Sequence, residues 1–182
     1  KASATRLISR SWLDANNETE MTKERPSMRI GILGSGVMGA KLGTLFARAG
    51  HEVVFSYAHS MEKLKRLAKD AGSGARAGKP AEAAEDADAL LLAVHWLRID
   101  DVLKQAGDVS GKVILTCSLP MDKGNTSLVI GTTNSGAEEL ARKVPKAKVV
   151  CAFNTVPSEV LFGVYEARRK ANRPSLAYCG DD

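Results

Sequence analysis

The sequence predicts an α/β protein, a doubly wound and mostly parallel sheet with helices on both faces. Three observations carry this reading. Short apolar runs alternate with segments of helical periodicity along the chain. The runs, such as Ala89-Leu90-Leu91-Leu92-Ala93-Val94, are continuously apolar, as in parallel strands covered on both faces. The first run leads through Gly34-Ser35-Gly36-Val37-Met38-Gly39, a complete G-x-G-x-x-G, into a helical segment.

The elements follow in order. Met28 to Leu33 reads as a buried strand, and Val37 to Ala49 as a helix with apolar residues at Val37, Leu42, Leu45, Phe46 and Ala49, closed by Gly50. Glu52 to Ser56 is a second strand, and Met61 to Ala71 a helix that Ser60 caps and Gly72-Ser73-Gly74 ends. Ala75 to Ala77 is a short third strand, and Lys79 to Ala87 a short helix with Pro80 near its first turn. Ala89 to Val94, Lys112 to Thr116, Lys148 to Phe153 and Leu176 to Cys179 are strands four to seven. Helices at Ile99 to Ala106 and Gly136 to Val144 and near Ser158 to Leu161 separate the last four strands.

The glycine motif has specific physics. Gly34 allows a tight turn. Gly36 lets a pyrophosphate approach the backbone. Gly39 lets the helix sit close to the strand, and the helix N-terminus offers free N–H groups to phosphates. Strand, turn and helix together form the opening of a Rossmann-type dinucleotide-binding fold. A glycine turn without a ligand is the plainer alternative.

Bulk properties narrow the classes. The chain has 182 residues and a formal net charge of +5, with bases and acids interleaved. That suits an anionic cofactor and gives no nucleic-acid signal. No apolar run approaches the roughly 20 residues that span a bilayer. Cys117, Cys151 and Cys179 are far apart, each in or beside an apolar run. They read as buried thiols in a reducing, cytoplasmic setting. His51, His59 and His95 form no metal pattern.

Residues 1–27 are polar and without apolar periodicity, and read as a flexible N-terminal tail before one domain over 28–182. Lys1 to Trp12 carries Lys1, Arg6, Arg10 and serines without an acid, which resembles a transit peptide. An upstream translated segment is the alternative. The first residue is not Met, and Gly180-Asp181-Asp182 follows directly on a strand, so both ends read as truncations.

The cofactor reading rests on the second strand. NAD-binding members of this fold place an acid near its end, on the ribose. Here Val54-Phe55-Ser56-Tyr57-Ala58-His59-Ser60 contains none. Ser56, Tyr57, His59, Ser60 and Lys63 are instead donors for a 2′-phosphate, which favours NADP.

Three segments carry a family resemblance. The first is Gly31 to Gly39 with Ala49-Gly50-His51-Glu52-Val53-Val54. The second is Ala93-Val94-His95-Trp96. The third is Val149-Val150-Cys151-Ala152-Phe153-Asn154-Thr155 with the ending Cys179-Gly180-Asp181-Asp182. Over Met28 to Asp182 the chain resembles the NADPH-dependent coenzyme F420 reductases, whose nucleotide domain is shared with STEAP-type metalloreductases. The resemblance implies NADP across the carboxyl ends of the strands, and a flavin or deazaflavin acceptor against the nicotinamide. It implies that Gly34, Ser35, Val37 and Met38 line the pyrophosphate, and that Ser56 and His59 sit by the 2′-phosphate. Val94, His95 and Trp96 would lie under the nicotinamide ribose, and Ala152, Asn154 and Thr155 beside the nicotinamide and the acceptor. The family's usual Ser-Arg pair after the second strand is replaced here by Ala58-His59 or Ser56-Tyr57. The family continues into a helical region that completes the acceptor site and a homodimer, and this chain stops before it.

The glycine motif and Ala49-Gly50-His51 also resemble β-hydroxyacid dehydrogenases and pyrroline-5-carboxylate reductases. The former use a glycine-rich substrate loop after the fifth strand, where this chain has Cys117-Ser118-Leu119-Pro120-Met121-Asp122-Lys123-Gly124. A carbonyl or imine substrate needs a proton donor within hydrogen-bond reach. His95 is the one acid–base candidate, with lining the cleft as its plainer role; Trp96 is a stacking wall or a cap on the core. A ring acceptor needs positioning rather than an acid. Arg168, Arg169, Lys170 and Arg173 form a basic cluster that could draw an anionic acceptor or simply face solvent. Three functions stay open: an NADP-dependent reductase of a flavin-like acceptor, a reductase or dehydrogenase of a small imine or hydroxy acid, and a nucleotide-binding redox sensor without turnover.

Overall fold

A computed structural model describes residues 26–72, 74–172 and 174–180. The tail before residue 26, Ser73, Arg173, Asp181 and Asp182 lie outside the described residues. Seven strands form one sheet: β1 (Arg29–Leu33), β2 (Glu52–Ser56), β3 (Ala75–Ala77), β4 (Ala89–Leu92), β5 (Val113–Thr116), β6 (Lys148–Ala152) and β7 (Tyr178–Gly180). Among the described residues six α-helices connect them: α1 (Val37–Arg48), α2 (Met61–Ala71), α3 (Pro80–Glu85), α4 (Ile99–Ala106), α5 (Gly136–Lys143) and α6 (Leu161–Glu166). Short 3₁₀ turns at Trp96–Arg98 and Ser158–Val160 lead into α4 and α6.

The strand order is β3-β2-β1-β4-β5-β6-β7. All pairs are parallel except β6–β7, which is antiparallel. The register aligns the carboxyl ends of the strands. Leu33 faces Ser56 on one side and Leu92 on the other; Leu92 faces Thr116, and Thr116 faces Cys151. One row thus crosses the sheet, and the loops that follow it share one edge. The order reverses between β1 and β4, the crevice where such sheets bind ligands.

Two apolar clusters cover the sheet. On one face Leu33, Leu90, Leu92, Ile114 and Val149 meet Ala83, Val102 and Leu140 from α3, α4 and α5. On the other, Ile30, Ile32, Val53, Phe55 and Leu91 meet Leu42, Leu64 and Leu161 from α1, α2 and α6. Phe55 is fully buried, which contributes about 1.5–3 kcal/mol. It lies against α1 where a glycine leaves room: a β-carbon on Gly43 would fall 2.4 Å from the Phe55 ring.

Several expectations change. The α3 helix is shorter than its sequence suggests, because Pro80 begins it and Asp86 ends it. Ala93 and Val94 leave the sheet, and their atoms fold over the glycine turn. The helix expected near Ser158 to Leu161 begins as a 3₁₀ turn and runs on through Leu161, Phe162 and Tyr165, which pack on the second cluster. The seventh strand starts later than expected, at Tyr178. The cysteines are not uniformly buried. Cys117 and Cys151 are half-buried, and Cys179 is exposed because β7 is an edge strand with no buried position. No helix among the described residues is long and apolar enough to cross a membrane.

Candidate functional site

The site begins where β1 hands over to α1. Gly34 has φ +114°, and a β-carbon there would lie 2.5 Å from the Ala93 carbonyl oxygen. A β-carbon on Gly39 would lie 1.9 Å from the Gly34 carbonyl oxygen. Gly36 differs: a β-carbon there would meet nothing within 4 Å, because it would project into open space. Gly34 and Gly39 therefore close the turn, and Gly36 clears it for a ligand. Gly36 also caps α1 without a side-chain hydrogen bond. This leaves the first-turn amides beginning at Val37 and Met38 for an incoming acceptor.

Two buried serines fix the turn to β2. Ser35 donates from its backbone N–H to the Tyr57 carbonyl at 3.2 Å and from its hydroxyl to the Ser56 carbonyl at 2.8 Å. The Ser56 hydroxyl donates to the Ile32 carbonyl at 2.7 Å. Both residues are fully buried. Ser56 is thus no 2′-phosphate donor: its hydroxyl is spent beneath the turn.

A cleft of about 860 Å³ opens beside the turn. Gly34, Ser35 and Gly36 form one wall; Tyr57, His59 and Lys63 come from the end of β2 and the start of α2. The Ser60 hydroxyl accepts from the Lys63 amide at 3.2 Å and starts α2. Lys79, Arg98, Asp101 and Gln105 complete the far side, and none of these four is singled out by a motif. Tyr57 has φ +56°, and its hydroxyl donates to the Asp101 carboxylate. Arg98 donates to the Tyr57 hydroxyl at 3.1 Å and sits over the ring, 5.8 Å from its centroid. Gln105 donates to Asp101 at 3.2 Å. The bond from Tyr57, then that from Gln105, holds the Asp101 carboxyl below its ordinary range. Burial first, then the bond to Asp101, pushes the Tyr57 hydroxyl above its own. The cleft's acid is thereby engaged by its neighbours, while Lys63 and Lys79 keep the cleft cationic.

Val94 and His95 line the cleft at the end of β4. Both His95 ring nitrogens are engaged. Nδ1 accepts from the Leu97 amide at 3.3 Å. Nε2 lies 3.0 Å from the Asp122 carbonyl oxygen and 3.1 Å from Asn125 Oδ1. This pattern assigns the proton to Nε2, donating to the loop that follows β5. The loop is itself knotted: the Asp122 carboxylate accepts from the Thr126 amide at 2.8 Å and from its hydroxyl at 2.9 Å. These bonds, the amide's first, lower the Asp122 pKa.

Other expected residues fall elsewhere. Trp96 packs on the first core cluster and against Gly136, whose β-carbon would lie 3.2 Å from the indole. It is a cap on the core and does not line the cleft. Ala152 ends β6, and Asn154 and Thr155 follow it, on the same sheet edge but outside the cleft. Arg168 stacks on Tyr165, 4.2 Å from its centroid, at the end of α6. Among the described residues no group of three or more His, Cys, Asp or Glu side chains could hold a metal.

The sheet, its switch point and the glycine turn define a dinucleotide-binding domain. The sequence profile described as NADP oxidoreductase, coenzyme F420-dependent, matches residues 29–120. The chain belongs to that family and is an NADP-dependent oxidoreductase. Solved structures agree on the fold. A candidate F420-dependent NADP-reductase from Arthrobacter sp. FB24 is 23% identical with TM-score 0.72, over 86% of this chain and 75% of that one. The Sinorhizobium meliloti protein SMa0349 is 26% identical with TM-score 0.64, over 79% and 69%. A reductive aminase from Aspergillus terreus, solved with NADPH and ethyl levulinate, is 17% identical with TM-score 0.56, over 74% of this chain and 44% of that one.

Proposed function

We propose that the chain transfers a hydride between NADP(H) and a flavin or deazaflavin acceptor of the F420 type. One observation supports the ring acceptor above others: His95, the acid–base candidate of the cleft, has both nitrogens engaged within the protein. A ring acceptor takes hydride at one atom and its proton from water, so it needs no such donor. A carbonyl or imine would need a donor aimed at it.

The residues fit the dinucleotide. The space in front of Gly36 and the α1 amides at Val37 and Met38 suit a pyrophosphate. His59, Ser60, Lys63 and Lys79 line the cleft, and their hydroxyl and basic groups suit a 2′-phosphate. Val94 and His95 would support the nicotinamide ribose, and Ala152, Asn154 and Thr155 would border the acceptor. When bound, the nicotinamide supplies or accepts the hydride. The chain's own groups orient the two rings and fix their separation, which is most of what such a transfer requires.

Oxidation of NADPH, followed by absorbance with F420, FMN, a cyclic imine and a hydroxy acid's keto form, tests this. Turnover with F420 or FMN is expected. Turnover with the imine or keto acid alone would move the chain to the second chemistry, and nucleotide binding with no turnover would make it a sensor.

A further inference from the structure

Three cysteines distant in sequence converge on one end of the sheet. Cys151 of β6 and Cys179 of β7 are direct partners across the antiparallel pairing. Directly opposed residues of such a pair point to the same face. Their α-carbons lie about 4.5 or 5.5 Å apart, according to hydrogen-bonding class, and both values fall in the roughly 4.4–6.8 Å range of a disulfide. Both thiols are free.

Cys117 is the poorer partner for Cys151. Its neighbour Thr116 faces Cys151 across β5–β6, but Cys117 itself packs with the second cluster and donates to the Leu92 carbonyl at 3.7 Å. Cys151 shares strand parity with Val149, which belongs to the first cluster on the other face. The two roles within the pair also differ. Cys179 is exposed. Cys151 is half-buried, and burial, then the Cys179 sulfur, pushes its thiol up to about 11.

We propose that Cys151 and Cys179 form a reversible redox-modification site, a dithiol that a low-molecular-weight disulfide such as oxidised glutathione converts into a cross-strand disulfide. Cys179, the accessible thiol, attacks one sulfur of the small disulfide as its thiolate. The small S–S bond breaks, one small thiol leaves and takes up a proton, and a mixed disulfide remains on Cys179. Cys151 then gives its proton to solvent and attacks the Cys179 sulfur, and the second small thiol leaves and is protonated. Two protein thiols are oxidised by two electrons, and one small disulfide is reduced to two thiols. The bond ties β7 to β6 and fastens the ends of the segment that carries Asn154, Thr155 and α6.

Incubating the whole chain with oxidised glutathione, alkylating remaining thiols and mapping unreduced peptides by mass spectrometry tests this. The expected product has lost the mass of two hydrogens, links Cys151 to Cys179, keeps Cys117 alkylated, and reverts with excess glutathione. Cys117→Ser should give the same link, whereas Cys151→Ser should stop at glutathione on Cys179. The oxidised wild type should melt about 5 °C above the reduced form. A wild-type chain with glutathione on Cys179 beside a free Cys151, a Cys117–Cys151 link, or three unreacted thiols would overturn the proposal. These outcomes are read on the wild type, so a variant that fails to fold does not blunt the test.

Discussion

Two histidines line one cleft with different freedom. His59 is exposed at the start of α2, beside Ser60 and Lys63. Replacing it by Asp would set a carboxylate near the 2′-phosphate position. We expect His59→Asp to weaken NADPH binding by about tenfold or more, as close like charges do, and to leave NADH nearly unchanged. Calorimetric titration of both nucleotides measures this, and equal losses would remove His59 from the phosphate end. His95 is tied on both ring nitrogens. Asn can keep part of that bonding, so His95→Asn should slow turnover with a ring acceptor by well under the roughly 100-fold that marks loss of a general acid. A larger loss with NADPH affinity intact would show that His95 donates a proton.

The glycine turn separates two effects at the scale of an element. Gly36→Val should abolish binding of either nucleotide and leave the fold, because a β-carbon there meets no protein atom within 4 Å and projects into the open cleft. Gly39→Ala should do the opposite first: its β-carbon lands on the Gly34 carbonyl, and crowding of this kind costs about 1–3 kcal/mol. Urea titration beside nucleotide titration distinguishes them; a destabilised Gly36→Val with normal affinity would contradict the assignment. The elements around this turn were legible in the sequence. The bounds of β2, α2, β3 and α4 follow from local periodicity and from Ser60 and Gly72, all signals contained in a few residues. What was not legible depends on partners distant in the chain. Arg98 and Asp101 reach the cleft because α4 packs beside the end of β2, and nothing in their own neighbourhood announces it. Ser56 looks like a phosphate donor by position, yet the strand pleat turns it under β1. The antiparallel sense of β7, which brings Cys179 to Cys151, has no local signature either.

At the scale of the whole molecule, a nucleotide bound beside the glycine turn would bridge the two halves of the sheet at the reversal between β1 and β4. Binding there couples to global stability. NADPH at about 100 times its dissociation constant should add ~2.7 kcal/mol, raising the melting temperature by about 5–10 °C. Thermal scans against NADPH concentration would show it. The same scans on Gly36→Val should be flat, and a shift retained in that variant would place the nucleotide elsewhere.

The paired hydroxyls of Ser35 and Ser56 have a consequence for kinetics. They stitch β1, the turn and β2 together with bonds internal to the protein, so the glycine turn, the cradle proposed for the phosphates, is braced before any ligand arrives. Association should then be a single fast step without a slow ordering phase. The Ser35 amide, held by the Tyr57 carbonyl, should resist hydrogen–deuterium exchange as strongly in the free protein as in the complex. Ser35→Ala, which removes the hydroxyl bond to the Ser56 carbonyl, should speed that exchange and bring a slow phase into stopped-flow binding traces. A free protein whose Ser35 amide exchanges at the rate of an open loop would mean that the ligand builds the cradle.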